Sequence, residues 1–437
     1  MIREPVVSGQ FYPSSPEELK AMIRGMVEEK VTKEDVIGYY APHAGYIYSG
    51  PVVGATISRV NLKDTFVIMG PSHTGMGAPF SIMTEGTWCT PLGDVEIDAE
   101  LAKAILSNSS YLKEDRSAHL QEHSIEVQLP FIQYFKADIK FVPIILSHTN
   151  ASVYRSIGRA IAKAIKDSGK EVVIAASGDM NHYESQKITH TKDRQAIESI
   201  LKLEAGELLE RVRDFNISMC GYGTVASLIY AAKEFGSVRT ELVKYQTSGD
   251  ITRDYSSVVG YAGILIKGVK ESTQVKLARE TVESFIVRGE IPHPKKISAE
   301  MQGKAGVFVS LHKSDELRGC IGTIEPGEDN IAQEIIKNAI SAATGDPRFF
   351  PVTAAELPEL QYSVDVLTEP ELVNSEKDLD PKRYGAIVES GWRRGLLLPD
   401  LEGVDTVEKQ LEVCRMKAGI GPKEHVKLYR FEVKRYS

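Results

Sequence analysis

Along the first part of the chain the apolar positions fall into short runs that stop on glycine or proline. Residues 66–69 (FVIM) form one such run, ended by Gly70 and Pro71, and read as a buried strand with His73 in the loop just past its carboxyl end. Residues 38–41 (GYYA) run in the same way into Pro42 and His43, and residues 172–176 run into Gly178, Asp179 and His182. Open α/β sheets keep their ligands beyond the carboxyl ends of the strands, so these ends are expected to converge on one polar pocket. Residues 141–146 (FVPIIL) add a further buried strand, 154–166 an amphipathic helix, and 241–245 and 257–266 two strands. The stretch 118–135 carries Ile125, Leu129 and Ile132 at helical spacing, which predicts a helix with His123 and Glu126 on one face and a kink or restart at Pro130.

The pattern changes after residue 266. KGVKESTQVK (267–276) is polar and reads as a linker. Beyond it, a helix over 277–287, a strand over 306–312 running into LRGCIGTIEP (317–326), a helix over 331–343, a strand over 360–367, a hairpin across 384–398 and a final strand over 425–435 predict α+β with an antiparallel sheet. Two domains are expected, 1–268 and 272–437. A length of 437 residues supports that division, being too long for one ordinary core.

Composition narrows the function. An apolar share of 42% and a charged share of 26% are those of a globular protein, and a net charge of −8 with no basic cluster argues against nucleic acid and anionic membranes as partners. No basic-then-apolar leader and no span-length apolar run is visible, so a cytoplasmic location is expected. Cys89, Cys220, Cys320 and Cys414 do not make a disulfide framework in a chain this long.

The candidate chemistry gathers at the strand ends. His43, His73, Asp179, His182 and Cys220 are expected in one site, with His123 and Glu126 as further members. Cys220 and Gly221 precede a small and apolar helical stretch, where a helix amino terminus would favour the thiolate. Two imidazoles and a thiolate suit Fe(II), copper or zinc and leave a position open, whereas Mg²⁺ and Ca²⁺ prefer oxygen. Asp179 would orient a histidine and His182 would act as acid or base, with His123 as a further catalytic candidate. Tyr46 and Tyr48 are expected to wall the pocket, with Glu126 in it, and His119, His148 and His190 to be ordinary surface or loop histidines. In LRGCIG, Arg318 and Cys320 are two apart and share a side if extended, so the guanidinium would favour a reactive thiolate; the alternative is a small buried residue in a glycine-constrained turn.

REPVVSGQFYP (3–13), APHAGYIYSG (41–50), GPSH (70–73), EHSIEVQLPF (122–131), SGDMNHY (177–183) and MCGYG (219–223) together resemble the Memo family over most of residues 1–268. The resemblance implies a LigB-like α/β domain, the fold of class III extradiol dioxygenases, with a central mixed sheet flanked by helices. It makes His43, His73 and Cys220 the metal ligands, Asp179 and His182 their neighbours, and Phe11 a residue of the pocket mouth. Extradiol dioxygenases bind Fe(II) through two histidines and a carboxylate, so a sulfur ligand here means that ring cleavage does not simply transfer. LRGCIG and DPRFFP (346–351) resemble the AMMECR family over about 272–437, implying a smaller α+β domain with no firm activity.

Both modules on one chain resemble the AmmeMemoRadiSam system, whose partner is a radical S-adenosylmethionine protein. The expected function is a metal-dependent redox enzyme or oxidoreductase-like component, with Fe(II) as the metal and copper or zinc as alternatives, acting on a small substrate. The alternative is a non-catalytic module that binds a peptide or protein in the Memo pocket and uses the second domain as scaffold.

Overall fold

A computed structural model describes residues 2–269, 271–294, 296–313, 316–401 and 403–436. Lys270, inside the expected linker, and Ser437, the last residue of the expected second domain, lie outside the described residues. The chain divides into two compact units, 1–269 and 270–437.

In the first unit the apolar runs are strands. Lys140–Leu146, Thr65–Pro71, Val172–Ser177 and Gly38–Ala41 lie side by side in that order, all parallel. Val258–Gly268 joins antiparallel to Gly38–Ala41, which makes the sheet mixed. Both faces of the central strands are covered, so Phe66, Val67, Ile68, Met69, Phe141 and Val142 have no exposed surface, and each such side chain contributes about 1.5–3 kcal/mol. Helix Ala151–Ser168 is capped by Asn150, whose Oδ1 accepts from the backbone N–H groups of Ser152 and Val153, and ends at Gly169 in the left-handed region (φ 65°).

Register sets the site. Ala41 faces Ser177 and Met69 faces Ala176, so the neighbouring strands finish level with one another. His43 and Asp179 therefore each follow a paired residue by two positions, and His73 leaves the next strand at the same edge.

Two sequence expectations change here. Residues 118–135 do not form one helix: Ser117–Leu120 is a single turn, residues 121–125 form turns, Glu126–Gln128 is 3-10 and Leu129–Phe135 is helical. Pro130 does restart the helix, at its first turn. The apolar spacing was real, but buried Glu122, Glu126 and Gln128 bond to other segments instead of following a surface helix pattern. Residues 46–58 are helical as well, so Tyr46, expected to wall the pocket, is buried at the start of a packed helix.

The second unit holds two four-stranded antiparallel sheets. The first orders Glu316–Gly322, Val307–Lys313, Leu360–Leu367 and Val433–Tyr436; the second orders Glu371–Val373, Lys427–Phe431, Gly385–Ser390 and Arg393–Leu397. The single final strand expected over 425–435 is thus two strands, split at Glu432 and assigned to different sheets. Helix Val407–Ala418, absent from the sequence reading, packs against the Gly385–Ser390 and Arg393–Leu397 hairpin. Its apolar side is narrow, Val407, Leu411 and Cys414 among charged neighbours, which hides its periodicity.

Candidate metal centre

The strand ends do meet. His43, His73, His123, Asp179, His182 and Cys220 all line one cavity of about 650 Å³, together with Phe11, Tyr183, Ser218 and Tyr261. Among the described residues, the ligand atoms of His43, His73 and His123 all lie within 4.8 Å of one another. The His73 and His123 rings are stacked with centroids 4.7 Å apart, and His43 stands at right angles to His73 at 5.0 Å. Cys220 adjoins this triple through His43, its Sγ lying 3.3 Å from His43 Nε2.

Two of these rings, His73 and His43, are oriented from behind. Glu122 accepts from His73 Nδ1 at 2.9 Å and from the His73 backbone N–H at 2.7 Å. These bonds, with that from Ser124 N–H, outweigh burial and bring the Glu122 carboxyl down to about 2, so the acceptor is ionised and His73 Nδ1 carries the proton. Burial works against the His73 imidazolium, but the Glu122 hydrogen bond and charge dominate and raise its pKa.

His43 is fixed by a different acceptor. Ser177 Oγ gives its own proton to Ser124 O (2.6 Å) and accepts from Gln128 Nε2 (3.0 Å), so its remaining lone pair takes the His43 Nδ1 proton at 3.1 Å. Burial, and then the neighbouring histidines, push the His43 pKa well below its ordinary value, so the ring is neutral. His123 is also lowered, by burial first. Neutral His43 therefore presents Nε2 as a lone pair, the form that binds metal, and His73 does so once it sheds the Nε2 proton that Glu122 helps it hold.

Asp179 Oδ1 accepts from the His43 backbone N–H at 2.8 Å, and its Oδ2 lies 4.0 Å from His43 Nε2. Burial raises its pKa, against the opposing pull of His182 and the His43 N–H. The Asp179 backbone N–H points at Cys220 Sγ at 3.1 Å. That crossing of two loops requires glycine: a Cβ on Gly178 would meet the Gly221 Cα at 2.3 Å.

The helix after Cys220 begins at Tyr222 with Gly221 as its cap, as the small-residue pattern predicts. The expected thiolate is another matter, because burial and the charge of Asp179 raise the Cys220 pKa well above that of a free thiol. Without a cation beside it, Cys220 is a thiol.

Several expected members lie elsewhere. Glu126 is fully buried and accepts from Arg3 Nη1 (2.8 Å), Val6 N–H (2.8 Å), Val7 N–H (3.0 Å) and Tyr12 OH (2.6 Å). It anchors the amino-terminal segment rather than lining the cavity, and this places Phe11 against His123 at 4.9 Å. Tyr46 is buried with its hydroxyl on Val127 O (2.7 Å). His119 is not a surface residue: it is fully buried, Nε2 lies 3.0 Å from Ser81 Oγ, and burial and then Arg3 lower its pKa to about 3. The orienting groups Glu122, Ser177 and Ser218 escape sequence reasoning. Their signal is adjacency, since each lies within two residues of a named candidate.

In the second unit Arg318 and Cys320 do share a strand, Glu316–Gly322. Arg318 turns onto Glu356 (2.9 Å) and the Phe350 carbonyl (2.9 Å). The guanidinium that reaches Cys320 is that of Arg348, whose Nη2 donates to the Cys320 carbonyl at 3.1 Å, while Ser310 Oγ donates to Sγ at 3.2 Å.

The family model described as Memo-like protein matches residues 3–265, and the AMMECR1 model matches residues 275–436. A MEMO1 family protein of Pyrobaculum aerophilum, PAE0818, is 45% identical over 276 residues, 60% of this chain and 98% of that protein. MK0963 of Methanopyrus kandleri, also a MEMO1 family protein, is 42% identical over 281 residues, 61% of this chain and 99% of its own length. The crystal structure of protein PH0010 from Pyrococcus horikoshii is 36% identical over 37% of this chain and 88% of that one, with a TM-score of 0.35. Among the described residues no helix is long and apolar enough to cross a membrane. By the match over residues 3–265 and by these full-length relatives, the chain belongs to the Memo family, with an AMMECR1 domain following in the same chain.

Proposed function

We propose that the cavity is the metal centre of an oxidoreductase-like protein acting on a small substrate, with Fe(II) as the metal and copper or zinc as alternatives that the same donors accept. His43, His73 and Cys220 are the proposed ligands, and His123, which completes the compact set of imidazoles, is a further donor. One observation carries the reading: buried acceptors hold the Nδ1 protons of His43 and His73, whose ligand atoms lie with that of His123 in one compact group, and Cys220 Sγ is 3.3 Å from His43 Nε2. Such a nitrogen and sulfur set fits a borderline or soft divalent ion.

When bound, the metal would supply Lewis-acid polarisation, and iron or copper, unlike zinc, electron exchange as well. The chain's own residues do the rest. His182 accepts and returns a proton, Asp179 fixes the His43 backbone, and Phe11 and Tyr261 narrow the access of water. Carrying both domains supports a place in an AmmeMemoRadiSam-type system, in the cytoplasm, with a radical S-adenosylmethionine protein as partner.

Elemental analysis of the full chain purified without added metal tests the centre. The wild type is expected to carry iron in preference to copper or zinc, and His43→Ala and Cys220→Ser to lose it. Equal metal in all three, or none in the wild type, overturns the proposal, and His123→Ala shows which third donor counts. A second reading, recognition of a peptide or protein with the AMMECR1 domain as scaffold, draws on Tyr183, which is 77% exposed at the cavity rim. Partner capture that survives loss of His73 and Cys220 favours it.

A further inference from the structure

His182 is the one cavity histidine outside the compact triple, and its ring is held by Ser218. The Ser218 carbonyl lies 2.7 Å from His182 Nδ1, and a carbonyl only accepts, so Nδ1 carries the proton. The Ser218 hydroxyl accepts from the His182 backbone N–H at 2.8 Å. Ring and backbone of His182 are thus gripped by the same residue.

The grip is itself anchored in the core. Asn181, fully buried, accepts through Oδ1 from Ser218 N–H (3.0 Å) and is within 3.1 Å of Ser218 Oγ, while its amide nitrogen donates to Glu184 (2.7 Å). Its backbone N–H donates to Asp193 Oδ1 at 2.8 Å, and the other oxygen of Asp193 takes the Tyr245 hydroxyl at 2.7 Å. Next along the chain, Tyr183 adopts the left-handed region at φ 58°, where the pairing of His182–Glu184 with the Val258–Gly268 strand shifts register. A bulge of this kind re-aims the side chains around it.

We propose that Ser218 is the positioning residue of His182, locking the neutral ring as its Nδ1–H tautomer so that Nε2 is left as the cavity's proton acceptor. This rests on the reading of His182 as the group that moves the proton. Its physical content, a single tautomer, does not depend on any metal. Unrestrained imidazole exchanges its proton between the two nitrogens, so a locked ring has a signature that overall folding does not supply.

The test is nitrogen NMR of the full chain with ¹⁵N-labelled histidine, stripped by chelator and observed where His182 is neutral, with its signals assigned from a His182→Asn sample. The expected wild-type spectrum shows Nδ1 protonated and Nε2 bare. Ser218→Ala keeps the carbonyl but releases the backbone, and should turn His182 into a mixture of tautomers while the His43 and His73 signals stay in place. Ser218→Thr restores the hydroxyl and should restore the single form. A wild-type His182 that is mixed or Nε2–H overturns the proposal without any variant, and so does a Ser218→Ala spectrum unchanged at His182. Metal content measured on the same samples is read separately: a metal-free wild type with a locked His182 removes the metal centre and leaves this inference standing.

Discussion

The histidine cavity of the first unit and the LRGCIG strand of the second are built from similar residue types, yet their polar atoms end in opposite conditions. In the cavity, the supporting bonds take only Nδ1 of His43, His73 and His182, and Nε2 of His43 is met by the Cys220 sulfur at 3.3 Å. On the strand, the charged groups are paired among themselves: Arg318 with Glu356 and two carbonyls, Asp346 with Arg348 and the Cys320 N–H. Reactive residue types therefore do not by themselves mark a reaction site. What separates the two regions is whether neighbours consume every donor and acceptor or only the ones facing away from open space.

The largest expected effect comes from a place in the first unit that resembles the strand. Arg3 and Glu126 are both buried and paired at 2.8 Å, with Arg3 also lying over Trp88 at 3.9 Å. Arg3→Leu would strand the Glu126 charge and is expected to destabilise the first unit by about 3–5 kcal/mol. Urea unfolding followed by fluorescence reads this directly, because the chain has two tryptophans: Trp88, buried in the first unit, and Trp392, 92% exposed in the second and removable as Trp392→Phe. A loss below about 1 kcal/mol would mean that the buried pair is replaceable, as some are.

Next in size is Glu122→Gln, which keeps the shape but weakens the acceptor behind His73. Loss of such a support lowers metal affinity by about 10–100-fold in comparable sites, and that is the range expected by titration with Fe(II) or Zn(II). Glu356→Gln on the strand is the matched control and should leave metal binding unchanged. If both variants lose metal alike, the contrast between the regions fails.

How far the sequence carries such a contrast depends on which atoms make it. The parallel strands were legible because residues 66–69 and 141–146 are uninterrupted apolar runs ending in glycine or small polar residues, and that pattern has few other solutions. His43, His73, Asp179, His182 and Cys220 were legible as companions because they follow such ends or open a helix. Glu122 and Glu126 were not separable, since both sit in one motif beside His123 and only the path of residues 3–12 decides that Glu126 faces Arg3 and Tyr12. Serine is less legible still. Ser177 acts through its hydroxyl and Ser218 through its hydroxyl and carbonyl, and nothing in their composition distinguishes them from turn residues. Helix Val407–Ala418 failed for a different reason, having too narrow an apolar face to show a period.

The remaining effect is one of pH, and its sign should differ between the units. Asp193 is fully buried, and burial, against the Asn181 N–H and the Tyr245 hydroxyl, raises its carboxyl to about 7. Between an ordinary carboxyl value near 4 and that raised value the folded chain holds a proton that the unfolded chain has released, so this contribution is lost as pH rises through the window. Glu356 runs the other way: the Arg318 hydrogen bond leads the effects that bring it down to about 2, so its contribution is complete above its unfolded value and fades as pH falls toward 2. Unfolding free energies from Trp88 should therefore decline from about pH 4 to pH 7 relative to an Asp193→Asn variant, which has no proton to lose. Those of the second unit, read from Trp392 in a Trp88→Phe background, should fall only on acidification and lose that slope in Glu356→Gln. If the first unit instead gained stability with pH in the wild type and not in Asp193→Asn, the Asp193 carboxyl would have to be ionised in the fold, and the Asn181 anchor behind His182 would be a charged one.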